Sequence, residues 1–473
     1  MLFHTPEFLF LMVIALGFYY FLPRLRLYTL ALANMAFYAL GGAAYLGLFI
    51  IIATCSYLLS LQLQGQHRKF CLWLGIVLNV GNLLFFKYTV FMLSNLENFF
   101  SLSLLSHYPL FQHLLLPIGI SFYTFELIAY LVDVYQAKIP PARSWLIFWV
   151  FISFFPHRVA GPIMRGKDLI PRVSNLPELK VAATVQLGVA YLTMGLIKKL
   201  FIADYISVWA NNFYAQGAGL SATGAWVAAY LYTFQIYYDF SAYSEIAVGL
   251  GYLFGIKLDL NFRTPYLSAN ATEFWKRWHI TLSDWIRDYL YIPLGGSWHG
   301  PARKYLNLFL AMAISGLWHG AAWTFVIWGI YHGIMLIIHN IYGRWQKPLL
   351  LQRLASTRGA RILSIFVFFH LVCLGWVFFR VEGIHNAAAM VIKMVSFNPG
   401  HLDTSLTKYL AVIVLLYLLH PLERWLRQNY LKLNTLWEKY CPAPVRALVY
   451  TLLIILMIIG IRSQPSDFIY FKF

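Results

Sequence analysis

Apolar runs recur from one end of the chain to the other, several of them long enough to cross a bilayer and several too short. They lie near residues 7–22, 29–50, 50–63, 70–91, 113–135, 145–156, 184–203, 222–254, 305–317, 321–340, 362–380, 407–420 and 443–461. About 20 helical residues cover the hydrocarbon core, and inside it every backbone polar group must be satisfied by the chain itself. Only 11% of the 473 residues are charged, 60% are hydrophobic and mean hydropathy is +0.65. A soluble chain carries about 25% charged residues, so too little polar surface remains to face water. The expected fold class is an all-α integral membrane protein with roughly 10–13 membrane helices. The run at 222–254 is expected to be broken, and the shortest runs to be re-entrant. No linker or internal repeat divides the chain, so residues 1–473 are read as a single domain with a motif core at about 230–340. No ordinary-sized soluble domain is left over, and any chemistry must occur in or at the membrane.

The net charge is +18 and the pI about 9.6. Without a basic soluble domain, this excess fits Lys and Arg collecting in cytoplasmic loops, not nucleic-acid binding. Gln62–Lys69, residues 161–180 and Arg263–Lys304 are the polar stretches, the second read as a loop. Met1–Leu22 has no basic residue before its apolar run, and Arg24 and Arg26 follow directly. It is read as an uncleaved first span with its N-terminus outside. Cys55, Cys71, Cys373 and Cys441 are scattered, with no CxxC, which predicts neither a disulfide framework nor a zinc site.

Three groups of residues could carry chemistry. Glu273 to Gly296 interleaves Trp275, Trp278 and Trp285 with charges, and helical spacing would put His279, Ser283 and Arg287 on one face. An interfacial helix lying among headgroups explains the same pattern. Ser315 to Trp323 holds Trp318 and His319 between Gly316 and Gly320 in an apolar stretch. An ionisable residue at membrane depth marks a candidate site, and a neutral imidazole is both cheaper to bury than an ammonium and the form a general base requires. A packing histidine among small neighbours is the alternative. His332 stands thirteen residues further on and, in a continuous helix, would point away from His319. Its expected role is structural or pocket-lining. The third group is buried acids, Asp239 and Glu245 in one run and Glu126 and Asp133 in another, expected to pair with Lys or Arg from other helices or to line a wet path. With no HExxH and no nearby cysteine, no metal is expected. GxSxG, Walker A and GxGxxG motifs are absent from the sequence.

Leu116–Glu126, Phe155–Pro162, Tyr238–Ser244, Glu273–Gly296, Gly316–Gly333 and Phe468–Phe473 together resemble the membrane-bound O-acyltransferase family, in its bacterial branch that O-acetylates envelope polysaccharides. The resemblance implies helices ringed around a central funnel. It implies His319 as the catalytic histidine and His279 as a second catalytic polar residue of the same tunnel. Trp318, Ser283, Arg287, Trp323, His332, Asp239 and Glu126 become tunnel candidates. It also implies a cytoplasmic acetyl donor, acetyl-CoA, with no bound cofactor, and a periplasmic acyltransferase partner at a bacterial inner membrane. Alginate-modifying members carry a longer polar insert before the last span, where this chain has only Pro421–Pro444. Peptidoglycan is therefore the favoured acceptor, with alginate or another exopolysaccharide the alternative. A proton-coupled transporter and a structural subunit of an export complex are the competing classes.

Overall fold

A computed structural model describes residues 5–101, 103, 105, 111, 114–158, 161–176, 181–344, 357–396, 406–462, 468 and 469. Regular structure among these residues is helical throughout. In chain order the main helices are α1 (Pro6–Phe21), α2 (Arg26–Ala39), α3 (Ala43–Leu61), α4 (Arg68–Phe100), α5 (Ile120–Tyr135), α6 (Trp145–Ser153), α7 (Gly166–Ser174), α8 (Thr184–Tyr214) and α9 (Ala222–Leu253). There follow the short α10 (Ala271–Trp275) and α11 (Ile280–Ile286), then α12 (Gly300–His319), α13 (Trp323–Arg344), α14 (Arg358–Arg380), α15 (Ile384–Val395), α16 (Leu406–Tyr440) and α17 (Ala443–Arg462).

Among the described residues, seven helices are long and apolar enough to cross a membrane, or up to eight if the bent pair formed by α1 and Pro23–Ala39 counts as one span. That is fewer than the apolar runs suggest, because several runs fold into shorter or more polar helices. Residues 145–156 yield only the nine-residue α6, and 305–317 lie in a helix that opens on the polar segment Gly300–Lys304. Three expectations are corrected. The run at 222–254 is one unbroken helix of 32 residues. The run at 407–420 continues through Pro421 to Tyr440. The proline-rich stretch at 161–180 contains α7, with Pro171 inside it.

The chain divides into two compact units, Met1–Gly195 with Tyr243–Leu260, and Leu196–Ala242 with Asn261–Phe473. The first is laced by polar bonds between its apolar helices. Asn34 donates to Ser153 Oγ at 2.9 Å, Asn79 to Ser56 Oγ at 3.0 Å, and the Tyr19 hydroxyl to the Phe254 carbonyl at 2.7 Å. Such bonds hold helices together where lipid offers no hydrophobic drive between them. In the second unit α12 and α13 form a tight hairpin. A Cβ on Gly316 would stand 2.3 Å from the Phe325 carbonyl oxygen and 3.0 Å from Gly329 Cα. Only paired glycines allow that crossing.

Candidate functional site

The second unit buries four histidines, His279, His319, His332 and His420, each 3% exposed or less. His319 ends α12, where the backbone leaves helical geometry at Gly320. A Cβ on Gly320 would lie 2.2 Å from the Phe325 ring, so glycine lets the chain turn directly over that ring and leaves the imidazole facing an aromatic wall. The His319 ring centroid is 5.0 Å from Trp318, 5.1 Å from Trp328 and 5.3 Å from Phe379.

His279 reaches the same wall by another route. It precedes α11 with φ 42°, a left-handed backbone that costs a non-glycine residue about 1–2 kcal/mol. The turn is pinned from both sides: Ile280 N–H donates to the Asn261 carbonyl at 3.0 Å, and Thr281 donates from its hydroxyl to Asn261 Oδ1 at 2.7 Å. Strain held in this way by its surroundings clusters at functional sites. The His279 ring meets the edge of Phe240 at 4.7 Å and lies 6.3 Å from Trp318, the residue next to His319. His279 and His319 thus share Trp318 as a common neighbour.

The hairpin break at Gly320 removes the condition under which His332 would point away from His319. The helix is not continuous, so His332 on α13 is brought back towards the wall, with Trp328 between it and His319. The Trp328 centroid is 4.8 Å from His332. Among the described residues neither His332 nitrogen has a hydrogen-bond partner. Trp376 on α14 closes this side, 5.5 Å from Trp328 and 4.8 Å from Trp278.

Ser283 and Arg287 do not share a face with His279. The helix begins only after His279, and Arg287 opens a wider helical turn at Arg287–Tyr291. Arg287 is half-exposed and paired with Asp284 at 2.7 Å and Asp288 at 2.6 Å. Ser283 donates to the Trp278 carbonyl at 3.2 Å. Both line a separate cavity of about 190 Å³ with Trp275, Met312 and Ser315. Trp323 is half-exposed at the start of α13.

Three of the four acids meet cations: Asp239, Glu126 and Asp133, the last at 3.5 Å from Lys138 Nζ. Asp239 accepts from Lys199 Nζ on α8 at 2.8 Å and from the Ile469 N–H at 2.8 Å. Lys199 also meets Asp204 at 2.8 Å. Phe468, fully buried beside this anchor, packs on Phe240 with centroids 6.0 Å apart. Asp239 therefore ties the end of the described chain to the helix whose next residue, Phe240, touches His279. Glu126 belongs to the first unit, where His157 Nε2 lies 3.0 Å from Oε1, the Met164 N–H donates to the same oxygen at 3.0 Å, and Arg158 donates to Oε2. Phe155–Arg158 thus forms a cradle for one buried carboxylate.

Sequence reasoning passed over His420, Asn261, Trp376 and Glu423. His420 stands between Tyr237 at 4.4 Å and Tyr266 at 5.2 Å. Glu423 takes Lys198 at 2.8 Å, Arg427 at 2.9 Å and the Tyr237 hydroxyl at 2.9 Å. The signal available in the sequence was a lone histidine before Pro421 with an acid three residues later.

The profile of the membrane-bound O-acyltransferase family matches residues 67–378, a span that contains both His279 and His319. The chain belongs to this family. It is 37% identical over 410 residues to the probable alginate O-acetylase AlgI of Pseudomonas putida, covering 85% of this chain and 82% of that protein. It is 36% identical over 435 residues to the peptidoglycan O-acetyltransferase of Helicobacter pylori, covering 84% and 80%. A teichoic acid D-alanyltransferase of Bacillus subtilis is 26% identical over 288 residues, 59% of this chain. The protein is an enzyme, a membrane O-acetyltransferase.

Proposed function

We propose that the enzyme takes an acetyl group from a cytoplasmic thioester donor, acetyl-CoA, and delivers it across the bacterial inner membrane to a periplasmic acyltransferase that O-acetylates a cell-envelope polysaccharide. The observation that carries this reading is the shared wall of His279 and His319 within one compact unit. Orientation follows from charge. α12 opens with Arg303 and Lys304, α13 ends at Arg344 and α14 begins with Arg358 and Arg361. Lys and Arg gather on the cytoplasmic side, which puts the opposite end of this hairpin, with His319, towards the periplasm.

In the proposed step a His319 ring nitrogen takes the proton of the acceptor hydroxyl. The oxygen attacks the thioester carbonyl carbon, the C–S bond breaks and the thiolate leaves with the proton that His319 returns. An imidazole N–H of His279 or an indole N–H of the wall donates to the oxyanion formed in between. His332 and Trp318 shape the chamber, and Asp239 holds Phe468 and Ile469 beside it.

Peptidoglycan is the proposed acceptor, on the short Pro421–Pro444 stretch; alginate or another exopolysaccharide is the alternative, and the similarity to both kinds of relative supports either. The test measures base-labile acetate on purified sacculi and on secreted polysaccharide from cells making wild-type protein or His319→Ala at matched membrane levels. Acetate lost from sacculi in the mutant supports peptidoglycan, and acetate lost only from secreted polysaccharide supports the alternative. Unchanged acetate in both fractions overturns the role of His319.

A further inference from the structure

A second cavity, of about 540 Å³, opens at the end of α14, and none of the four buried histidines lines it. Its polar lining is Arg380, Lys393, Asn211, Asn386, Tyr214 and Glu382, over an apolar floor that includes Leu220 and Met390. Arg380 is the last residue of a 23-residue spanning helix about 34 Å long, so it stands at the membrane boundary. Its guanidinium donates to Asn211 Oδ1 at 2.9 Å and lies 5.3 Å from the Tyr214 ring and 5.9 Å from Tyr232. Among the described residues no carboxylate pairs with it, and the buried Tyr214 and Tyr232 hydroxyls have no hydrogen-bond partner. Arg380 is thus a partly buried cation facing the cavity with an amide and two ring faces as its contacts, a setting in which a charge-assisted bond to an anion is favourable.

α15 supplies the other wall. It is a 12-residue helix with Ile384, Ile392 and Val395 exposed around Lys393. That pattern suits a helix lying in the headgroup layer. Its position is fixed by Trp226, whose indole N–H donates to the Met394 carbonyl at 2.9 Å, and by the packing of Met394 on Ala225, Ala229 and Val377. The cavity lining therefore carries two cations, two amides, one phenol and one carboxylate at headgroup depth, with an apolar side for a chain or glycerol backbone.

We infer that this cavity binds a phosphate ester at the membrane surface, held by Arg380 and Lys393, with an anionic phospholipid headgroup as its source. The inference does not depend on the acyl-transfer reading. The experiment uses the full-length protein, purified in neutral detergent and exchanged into micelles containing equal phosphatidylglycerol and phosphatidylcholine, with retained lipid counted by native mass spectrometry. Wild-type protein is expected to retain phosphatidylglycerol over phosphatidylcholine. Arg380→Gln and Lys393→Gln should each lower that retention about fivefold, the scale of one cation at a lipid surface. Lys393→Gln leaves the Arg380–Asn211 bond in place, so the test survives if Arg380→Gln fails to fold. Lys432→Gln, an exposed cation elsewhere, should change nothing. Equal retention of both lipids by wild type, unchanged retention in Lys393→Gln, or an equal fall in Lys432→Gln overturns the site. An arm with millimolar inorganic phosphate separates the sources: competition assigns the site to phosphate alone, and its absence to the lipid.

Discussion

His319 and His279 reach the same wall under different constraints, and substitutions should separate them. His319 ends a helix at a glycine turn and faces Trp328 and Phe379. Replacing it by alanine should lower acetyl transfer about 10²–10⁴-fold, the usual worth of a positioned base, with normal membrane levels. Acetate release from envelope fractions measures this, and transfer within threefold of wild type rejects His319 as the base. His279 lies outside the spanning helices, and burial pushes its pKa down to about 3. The unfolded value is near 6.5, so between those two values the unfolded chain binds more protons and stability falls as pH drops. The unfolding midpoint in detergent should be flat from pH 9 to 7 and fall from pH 6 to 4. His279→Asn should show a shallower fall, and an identical fall rules out the assignment. Glu126 is a different case, since removing it leaves Arg158 buried without its carboxylate. Glu126→Ala should cost about 3–5 kcal/mol and be read as lost folded protein.

At the scale of elements, the α12–α13 hairpin decides where His319 and His332 stand. Its crossing rests on backbone contact at Gly316 and Gly329, where a Cβ on Gly329 would stand 2.3 Å from the Met312 carbonyl oxygen. Gly329→Val should push the helices apart, cost about 1–3 kcal/mol in overpacking and reduce transfer without touching either imidazole's chemistry. Unfolding temperature and acetate transfer, measured on the same preparation, check this; a variant matching wild type in both contradicts the close crossing. The block from Glu273 is held to α14 by a shared ion cluster, with Arg277 at 2.5 Å and Arg361 at 3.1 Å from Glu273 Oε1. Its helices are short because His279 interrupts them with a left-handed residue. Helical periodicity read from the sequence misassigned Ser283 and Arg287 for that reason.

At the scale of the whole molecule, the last described residues return to the core of the second unit. Asp239 accepts the Ile469 N–H, and Lys199 remains paired with Asp204 when Asp239 is changed. Asp239→Ala should therefore leave the fold in place while releasing Phe468 and Ile469. Hydrogen exchange at the Ile469 N–H should quicken about tenfold or more, the loss of a hydrogen bond to a charged acceptor being worth about 1.5–3 kcal/mol. An unchanged exchange rate shows that Asp239 does not anchor this segment.

The membrane class, the helical fold and the family were legible in the sequence, because each depends on local content and on motifs within short stretches. Charge scarcity excludes a water-facing surface, apolar length forces helices, and a histidine in an apolar run stands out without knowledge of its neighbours. The sequence did not determine how many runs would form full spans: Pro421 is absorbed inside α16, and 222–254 stays one helix because tertiary packing overrides local breaking signals. Nor did it determine which candidates meet. His332 rejoined His319 because the hairpin breaks at Gly320, and Glu126 was claimed by His157 and Arg158 within the first unit. Which histidines share a wall and which acids find a cation depend on helices far apart in the chain being brought within a few ångströms, and that is fixed by close packing and by the cost of leaving a buried charge alone.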